Sequence, residues 1–242
     1  MATTKFPSEI VSLPSKGVLY SKDSLLAKGE IEMKYMTAKE EDILTNQTYI
    51  EKGIVIDKLI KSLIVSDINY DDLLTGDKNG IMIAARILSY GKEYTFTMNG
   101  EEYTVDLTDY KEKDLHPEVK KGINNFSFTL PYSKIPVTFK LLTHKDERNI
   151  EQEIKSLKRI KSSESFLLST RLKHMITSVG DQDDSKTIRE FVDKELLAMD
   201  ARALRKYVKE IAPDMDLFFF TEGSDKPISL PITIQFFYPD VE

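Results

Sequence analysis

Residues 73–107 read LLTGDKNGIMIAARILSYGKEYTFTMNGEEYTVDL, and the change of period inside this stretch decides the fold class. Leu73, Leu74, Ile81, Ala84, Ala85 and Leu88 can share one broad apolar face of a helix over 71–88, and Gly91 is placed to stop it. Past Gly91 the period drops to two. Tyr94, Phe96 and Met98 alternate, Asn99-Gly100 supplies a hairpin turn, and Tyr103, Val105 and Leu107 alternate again. Helix and hairpin side by side predict an α+β protein.

Upstream, the pattern extends the same unit. Residues 55–64 are apolar at helical spacing, and Ile43 and Leu44 precede them. Thr37 is an N-cap candidate with Glu40 three residues on, the pattern of a capping box, and Glu40, Glu41 and Asp42 bring negative charge to the first turn. Ile31, Met33 and Tyr35 alternate with polar residues as a half-buried strand does. Before it lies Leu13-Pro14-Ser15-Lys16-Gly17, an extended residue before proline and then a turn, followed by Val18-Leu19-Tyr20. The expectation is an extended arm over 1–30 and a strand–helices–hairpin unit over 31–110.

The remainder reads as a second copy. Thr37-Ala38-Lys39-Glu40-Glu41 lies over Thr143-His144-Lys145-Asp146-Glu147 at an offset of 106. Leu73-Leu74-Thr75-Gly76-Asp77 lies over Leu196-Leu197-Ala198-Met199-Asp200 at an offset of 123, which then runs without a gap through Gly100 on Gly223 to Leu107 on Leu230. Identity over these positions is low, about 6 of 35. This predicts a tandem duplication: a linker over 111–136, then a second unit over 137–242 that opens on the strand of Val137 and Phe139. It carries a helical insertion at about 148–193 and a C-terminal aromatic strand. One such unit of about 75 residues is a marginal core alone, so the two are expected to pack together or on a partner.

Composition removes whole classes of function. The 242 residues carry 34 Lys+Arg against 40 Asp+Glu, a net charge of −6, which lacks the broad positive field of a nucleic-acid binder. With no cysteine there are no disulfides, thiolate zinc sites or cysteine nucleophiles, and the chain suits a reducing compartment. The start has no apolar leader run, and no stretch approaches the roughly 18 apolar residues of a spanning helix. The expectation is a protein of the cytoplasm with no membrane contact.

Each catalytic constellation fails on spacing. Gly76-Asp77-Lys78-Asn79-Gly80 is not a phosphate loop and sits inside a helical pattern. His116, His144 and His174 have no metal-ligand spacing, and neighbouring carboxylates such as Asp71-Asp72 point to different faces of a helix. Asp181 to Asp184 lacks the internal glycine and terminal glutamate of a calcium loop. No metal or cofactor is expected. Lys155, Lys158, Arg159 and Lys161 form a basic helix face, a solvated surface or a phosphate-binding one. The end of the chain, with Phe218, Phe219, Phe220, Phe236, Phe237 and Tyr238, is aromatic enough to demand cover, from the body of the protein or from a partner.

Several words of the sequence resemble one family. They are Leu13-Pro14-Ser15-Lys16-Gly17-x-x-Tyr20, the run Met36-Thr37-Ala38-Lys39-Glu40-Glu41-Asp42, Leu73-Leu74-x-Gly76-Asp77-Lys78-Asn79, Arg86-x-x-x-Tyr90-Gly91-x-x-Tyr94, and Leu230-Pro231-Ile232 with Phe236-Phe237-x-Pro239. In this order they resemble the baseplate hub proteins of contractile-tailed, T-even-type bacteriophages. The resemblance implies a non-enzymatic structural or assembly protein, resident in the virion baseplate or a chaperone acting in the host cytoplasm, whose partners are other tail and hub proteins. Some members look as if they carry paired cysteines at two zinc-ribbon hairpin turns. Here those places, Thr97-Met98-Asn99-Gly100 and Thr221-Glu222-Gly223, have none, so zinc-ribbon-like hairpins without zinc are expected.

The expected partner contacts are Leu13, Pro14, Lys16 and Tyr20 of the arm and Phe236, Phe237 and Tyr238 of the tail. Thr37, Glu40, Gly76, Asp77, Arg86, Gly91, Gly100, Asp200 and Gly223 are expected to hold the fold. Two rivals remain: an enzyme using Asp77 and Asp200, and a nucleic-acid module using the basic face.

Overall fold

The short strands of this chain cannot stand alone, and each pairs with a neighbour to make a small antiparallel sheet on the helices. The computed structural model describes residues 7–160, 166–221 and 226–237. The stretch expected as an extended arm supplies strand β1 (Ser8–Ser12), which pairs with β2 (Glu30–Lys34) in the register Val11 opposite Ile31. Between them Leu13 bonds Gly29, and a turn closes from the Lys16 N–H to the Leu13 carbonyl (2.8 Å). Helices α1 (Ala38–Leu44), α2 (Gln47–Glu51) and α3 (Val55–Leu63) follow, then α4 (Thr75–Tyr90) and the hairpin β3 (Glu93–Met98) with β4 (Glu101–Asp106). Asn99 (φ 54°) and Gly100 (φ 85°) are both left-handed, the backbone that a two-residue hairpin turn demands.

The expected linker contains a strand. β5 (Phe126–Thr129) pairs with β6 (Pro136–Phe139), and β7 (Ile176–Val179) joins β6 from the far side. Helices α5 (His144–Ile160), α6 (Leu167–Met175) and α7 (Ser185–Lys194) cover most of the stretch read as a helical insertion, with β7 among them. Helix α8 (Ala198–Ile211) leads to the two-residue strands β8 (Phe218–Phe219) and β9 (Ile228–Ser229). The architecture is α+β, with small antiparallel sheets set on helices.

The helix starts carry the local chemistry that the sequence promised. Thr37 and Glu40 close a capping box, with Thr37 N–H 3.0 Å from Glu40 Oε2, and Lys34 Nζ bonds Glu40 Oε1 at 2.8 Å. Thr143 and Asp146 repeat it: Thr143 N–H is 3.1 Å from Asp146 Oδ2, and Lys140 Nζ bonds Asp146 Oδ1 at 2.7 Å. Gly91 ends α4, and Arg86 reaches past it to the carbonyls of Gly91 and Glu93.

The aromatic tail corrects one expectation. No C-terminal strand forms over 232–237; Ile234–Phe237 is a single 3₁₀ turn, and Phe236 and Phe237 are both fully buried. In a strand these neighbours would face opposite ways, whereas three residues per turn let both point inward. Phe236 meets Tyr94 edge-on at 4.8 Å and Phe237 at 5.0 Å, and the Tyr94 hydroxyl donates to the Pro231 carbonyl. Beside them Phe96 packs edge-on against Phe219 at 5.1 Å. One apolar cluster thus runs from Leu13 to Phe237. Tyr238 and Gly223 lie outside the described residues.

Removing Phe236 empties this junction. Phe236→Ala should lower unfolding free energy by about 3–5 kcal/mol in urea titrations, while Phe220→Ala, at a side chain 64% exposed, should change it by less than about 0.5 kcal/mol.

Candidate functional site

The polar interior is concentrated at the start of α4. Asp77, three residues into the helix, has no exposed surface. Its Oδ1 accepts the Ser15 N–H at 2.7 Å, and its Oδ2 accepts the Ser15 hydroxyl at 2.7 Å and the Tyr20 hydroxyl at 2.5 Å. The same Tyr20 oxygen receives the Leu74 N–H, the N-cap residue of α4. Burial pushes the Asp77 carboxyl above the ordinary range, with Asp214 adding to it, while the three donors pull it back. Burial also raises the Tyr20 phenol, and Asp77 reinforces that. A Cβ on Gly80 would lie 2.7 Å from the Pro14 ring, so the glycine lets the 13–20 segment lie flush on α4.

Asp200 occupies the matching place on α8, again without exposed surface. It accepts the N–H groups of Tyr132 (2.8 Å) and Ser133 (3.0 Å), in the loop between β5 and β6. Burial opposes ionisation there, but the two amide bonds hold the carboxyl below its ordinary value. Neither aspartate has exposed surface, and each is bound by donors from a neighbouring turn.

A second cluster forms the seam between the chain's two halves. Asp57 of α3 accepts from the Tyr70 hydroxyl at 3.0 Å and Lys78 at 2.5 Å, and His144, the first residue of α5, lies 3.8 Å away. Tyr70 meets the His144 ring edge-on at 4.6 Å. Burial lowers the His144 imidazole, against the pull of Asp57; burial works the other way on Asp57, whose carboxyl is nonetheless held low by Lys78, His144 and Tyr70. Around it the backbones join. His144 N–H donates to the Leu73 carbonyl (2.7 Å), Thr75 N–H to the Leu142 carbonyl (3.2 Å), and Leu74 faces Thr143 in an antiparallel bridge. Arg148 grips Asp71 at both carboxylate oxygens (3.2 and 3.0 Å). A Cβ on Gly76 would overlap the Pro213 carbonyl oxygen, so that glycine admits the end of α8 to the seam.

The expected partner contacts divide accordingly. Leu13, Pro14 and Tyr20 are buried on α4, and of the named arm residues Lys16 is exposed, paired with Glu112. Phe236 and Phe237 are core, with Tyr94 of β3 against Phe236 and α4 packed on the turn that carries them, the cover that the sequence left open. Gly100 sits at an open turn, and Thr37, Glu40, Gly91 and Arg86 hold the framework as described.

Among the described residues there is no group of three or more His, Cys, Asp or Glu side chains able to hold a metal, and no helix long and apolar enough to cross a membrane. The three histidines are apart: His144 faces Asp57, His174 faces Glu153, and His116 lies against Tyr207. Two open clefts line with other residues, one with Thr104, Asp109, Lys111 and Phe218, the other with Ser127, Phe128, Pro136 and Ser178. On α5, Lys155, Lys158 and Arg159 are exposed, and Lys161 lies outside the described residues. Sequence reading missed the Asp57 cluster and the Glu153–Arg189 fork, since their members lie 13 to 87 and 36 positions apart with no local motif. Protein-family models, curated proteins and solved structures return no match to the chain.

Two outcomes test these networks. Asp77→Ala leaves three buried donors without an acceptor and should cost about 3 kcal/mol or more in urea titrations, whereas Tyr20→Phe should cost about 1–2 kcal/mol. Arg189 binds Glu153 at 2.6 and 2.9 Å and, with His174, holds its carboxyl at about 2, below the ordinary 4.5. A lowered folded-state value adds stability above 4.5 that drains away as pH falls towards about 2. Melting temperature measured down that window should therefore fall less steeply in Glu153→Gln than in the unmodified chain.

Proposed function

We propose that this chain is a duplicated, non-enzymatic assembly protein of a contractile-tailed phage baseplate hub, acting through protein–protein contacts. One observation carries the reading: the words that resemble the hub family fall on the packing nodes of the fold. Ser15 and Tyr20 clasp Asp77, Thr37 and Glu40 cap α1, Arg86 ties off α4 between Tyr90 and Tyr94, and Phe236 packs on Tyr94. A likeness made of framework residues is a likeness of fold, and none of these words builds a reaction centre.

The duplication is supported by local geometry in both halves. Each has a Leu-Pro turn with one left-handed lysine, Lys16 at φ 51° and Lys134 at φ 61°. Each has a lysine-braced threonine capping box, and each has a helix with an extended leucine N-cap and a buried aspartate three residues in. That aspartate binds the turn in both halves, Asp77 through Ser15 and Asp200 through Tyr132 and Ser133. The hairpins diverge: Phe96 pairs with Tyr103, but Phe219 pairs with Ile228, two positions beyond the aligned register. On this reading the second hairpin is a shortened and shifted form of the first.

The test is mass spectrometry of purified tails from the phage that encodes the chain, beside capture on the tagged protein from infected lysate. Stoichiometric recovery in tails makes it a resident hub part. Absence from tails with hub proteins captured in lysate makes it a chaperone of the same assembly. Recovery of neither overturns the reading, as does salt-sensitive binding of nucleic acid through the α5 basic face.

A further inference from the structure

The seam within the chain has two unused counterparts on its surface. On one side it is formed by Leu73, Leu74 and Thr75 entering α4, on the other by Leu142, Thr143 and His144 entering α5. Under the duplication, on which this inference rests, the first side corresponds to Leu196, Leu197 and Ala198, and the second to Met36, Thr37 and Ala38. Both counterparts carry exposed residues, while Met36, Thr37 and Leu196 are half-buried. Leu74 in the seam is 4% exposed; Leu197 is 50% exposed and Met199 beside it 56%. Ala38, Lys39, Glu41 and Asp42 are exposed as well. Among the described residues no hydrogen bond is made by the N–H of Ala38 or Ala198, whereas their counterparts His144 and Thr75 use theirs to cross the seam.

Charge carries the argument further. The seam is braced by Arg148 on Asp71. The position matching Arg148 is Asp42, and the position matching Asp71 is Lys194. The pair has exchanged signs, so the two open edges are complementary to each other. Asp42 and Lys194 are both exposed, and neither makes an ion pair among the described residues. Two edges of one chain that fit each other, but share no backbone hydrogen bond within it, can make a head-to-tail contact between copies.

We infer that the 196–199 edge of one chain takes the 36–42 segment of a second copy of this chain, with Lys194 against Asp42 and Leu197 under cover. In this contact Ala38 N–H donates to the Leu196 carbonyl and Ala198 N–H to the Met36 carbonyl, as His144 and Thr75 do in the seam. The likeness ends at Gly76: Met199 stands in its place, and its side chain holds the second copy further off than Pro213 sits from Gly76. Because the contact is heterologous, repetition builds a ring where the rotation closes and a filament where it does not.

Sedimentation velocity on the full chain, from low micromolar to several hundred micromolar, tests it. The unmodified chain should assemble with rising concentration, and Leu197→Asp should remain monomeric with an unchanged circular dichroism spectrum. Asp42→Lys and Lys194→Glu should each weaken assembly roughly tenfold by setting like charges together. Mixing those two variants restores opposite charges at every junction and should restore assembly. A monomer at all concentrations overturns the contact and leaves the duplication standing, because the seam inside the chain is untouched. Assembly indifferent to both charge variants and to their mixture overturns the correspondence between seam and open edges, and with it this use of the duplication.

Discussion

The carboxylate of Asp77 has no exposed surface, and the first half of the molecule is arranged around it. A lone carboxylate in such a place carries a penalty of several kcal/mol, so donors must be brought to it from elsewhere in the chain. Ser15 supplies two and Tyr20 one, which fixes the path of the 13–20 segment across α4. That path in turn sets Leu13 and Leu19 in the core and lets β1 return beside β2. Tyr20 also takes the Leu74 N–H, so the group that satisfies the aspartate also binds the residue that opens its helix. Asp200 meets the same need with two backbone amides, a cheaper solution that asks nothing of side chains and leaves Tyr132 free to face outward, 53% exposed.

The seam follows from the same helix starts. An α-helix opens with N–H groups that have no partner inside it, and the residue before it is extended. Where two such starts approach, as at Leu74 and Thr143, the extended residues pair as strands do and the first helical N–H crosses to the other chain segment. Asp57, Tyr70, Lys78 and His144 then close the space beside the pairing. They have the residue types of an acid–base centre, but their polar atoms are directed at one another across the junction of α3, α4 and α5, which is the work of a clamp.

What the sequence made legible was what short spacing controls. The Asn99-Gly100 turn, the Thr37–Glu40 box, the stop at Gly91 and the amphipathic α3 each need only neighbours within a few positions, and each formed where expected. Asp77 and Asp200 could be matched by alignment, yet nothing local said that Ser15, 62 positions away, would bind the first. Strands β5 and β7 were missed because β5 lies in the stretch read as a linker and β7 inside the stretch read as a helical insertion, where β7 pairs with β6 alone. The aromatic tail was ambiguous for a related reason. Apolar character states that cover is required, and only the tertiary partners, Tyr94 and the hairpins, state who provides it.

Under the proposed assembly role, that assignment changes where a contact surface has to be sought. With Phe236, Phe237, Leu13 and Tyr20 committed to the interior, the segments richest in aromatic residues are the fold's own closure. The large apolar side chains left outside include Leu197 and Met199 at the start of α8, with Tyr132 in the loop that binds Asp200. Two amide bonds to the Asp200 carboxylate, three residues on from the exposed Leu197, stiffen this helix start. Apolar residues presented on such a rigid edge lose little conformational freedom on contact, which is the condition under which a small patch can bind at all. A pinned, buried aspartate thus stands both at the start of α4, in the closed seam, and at the start of α8, where Leu197 and Met199 are exposed.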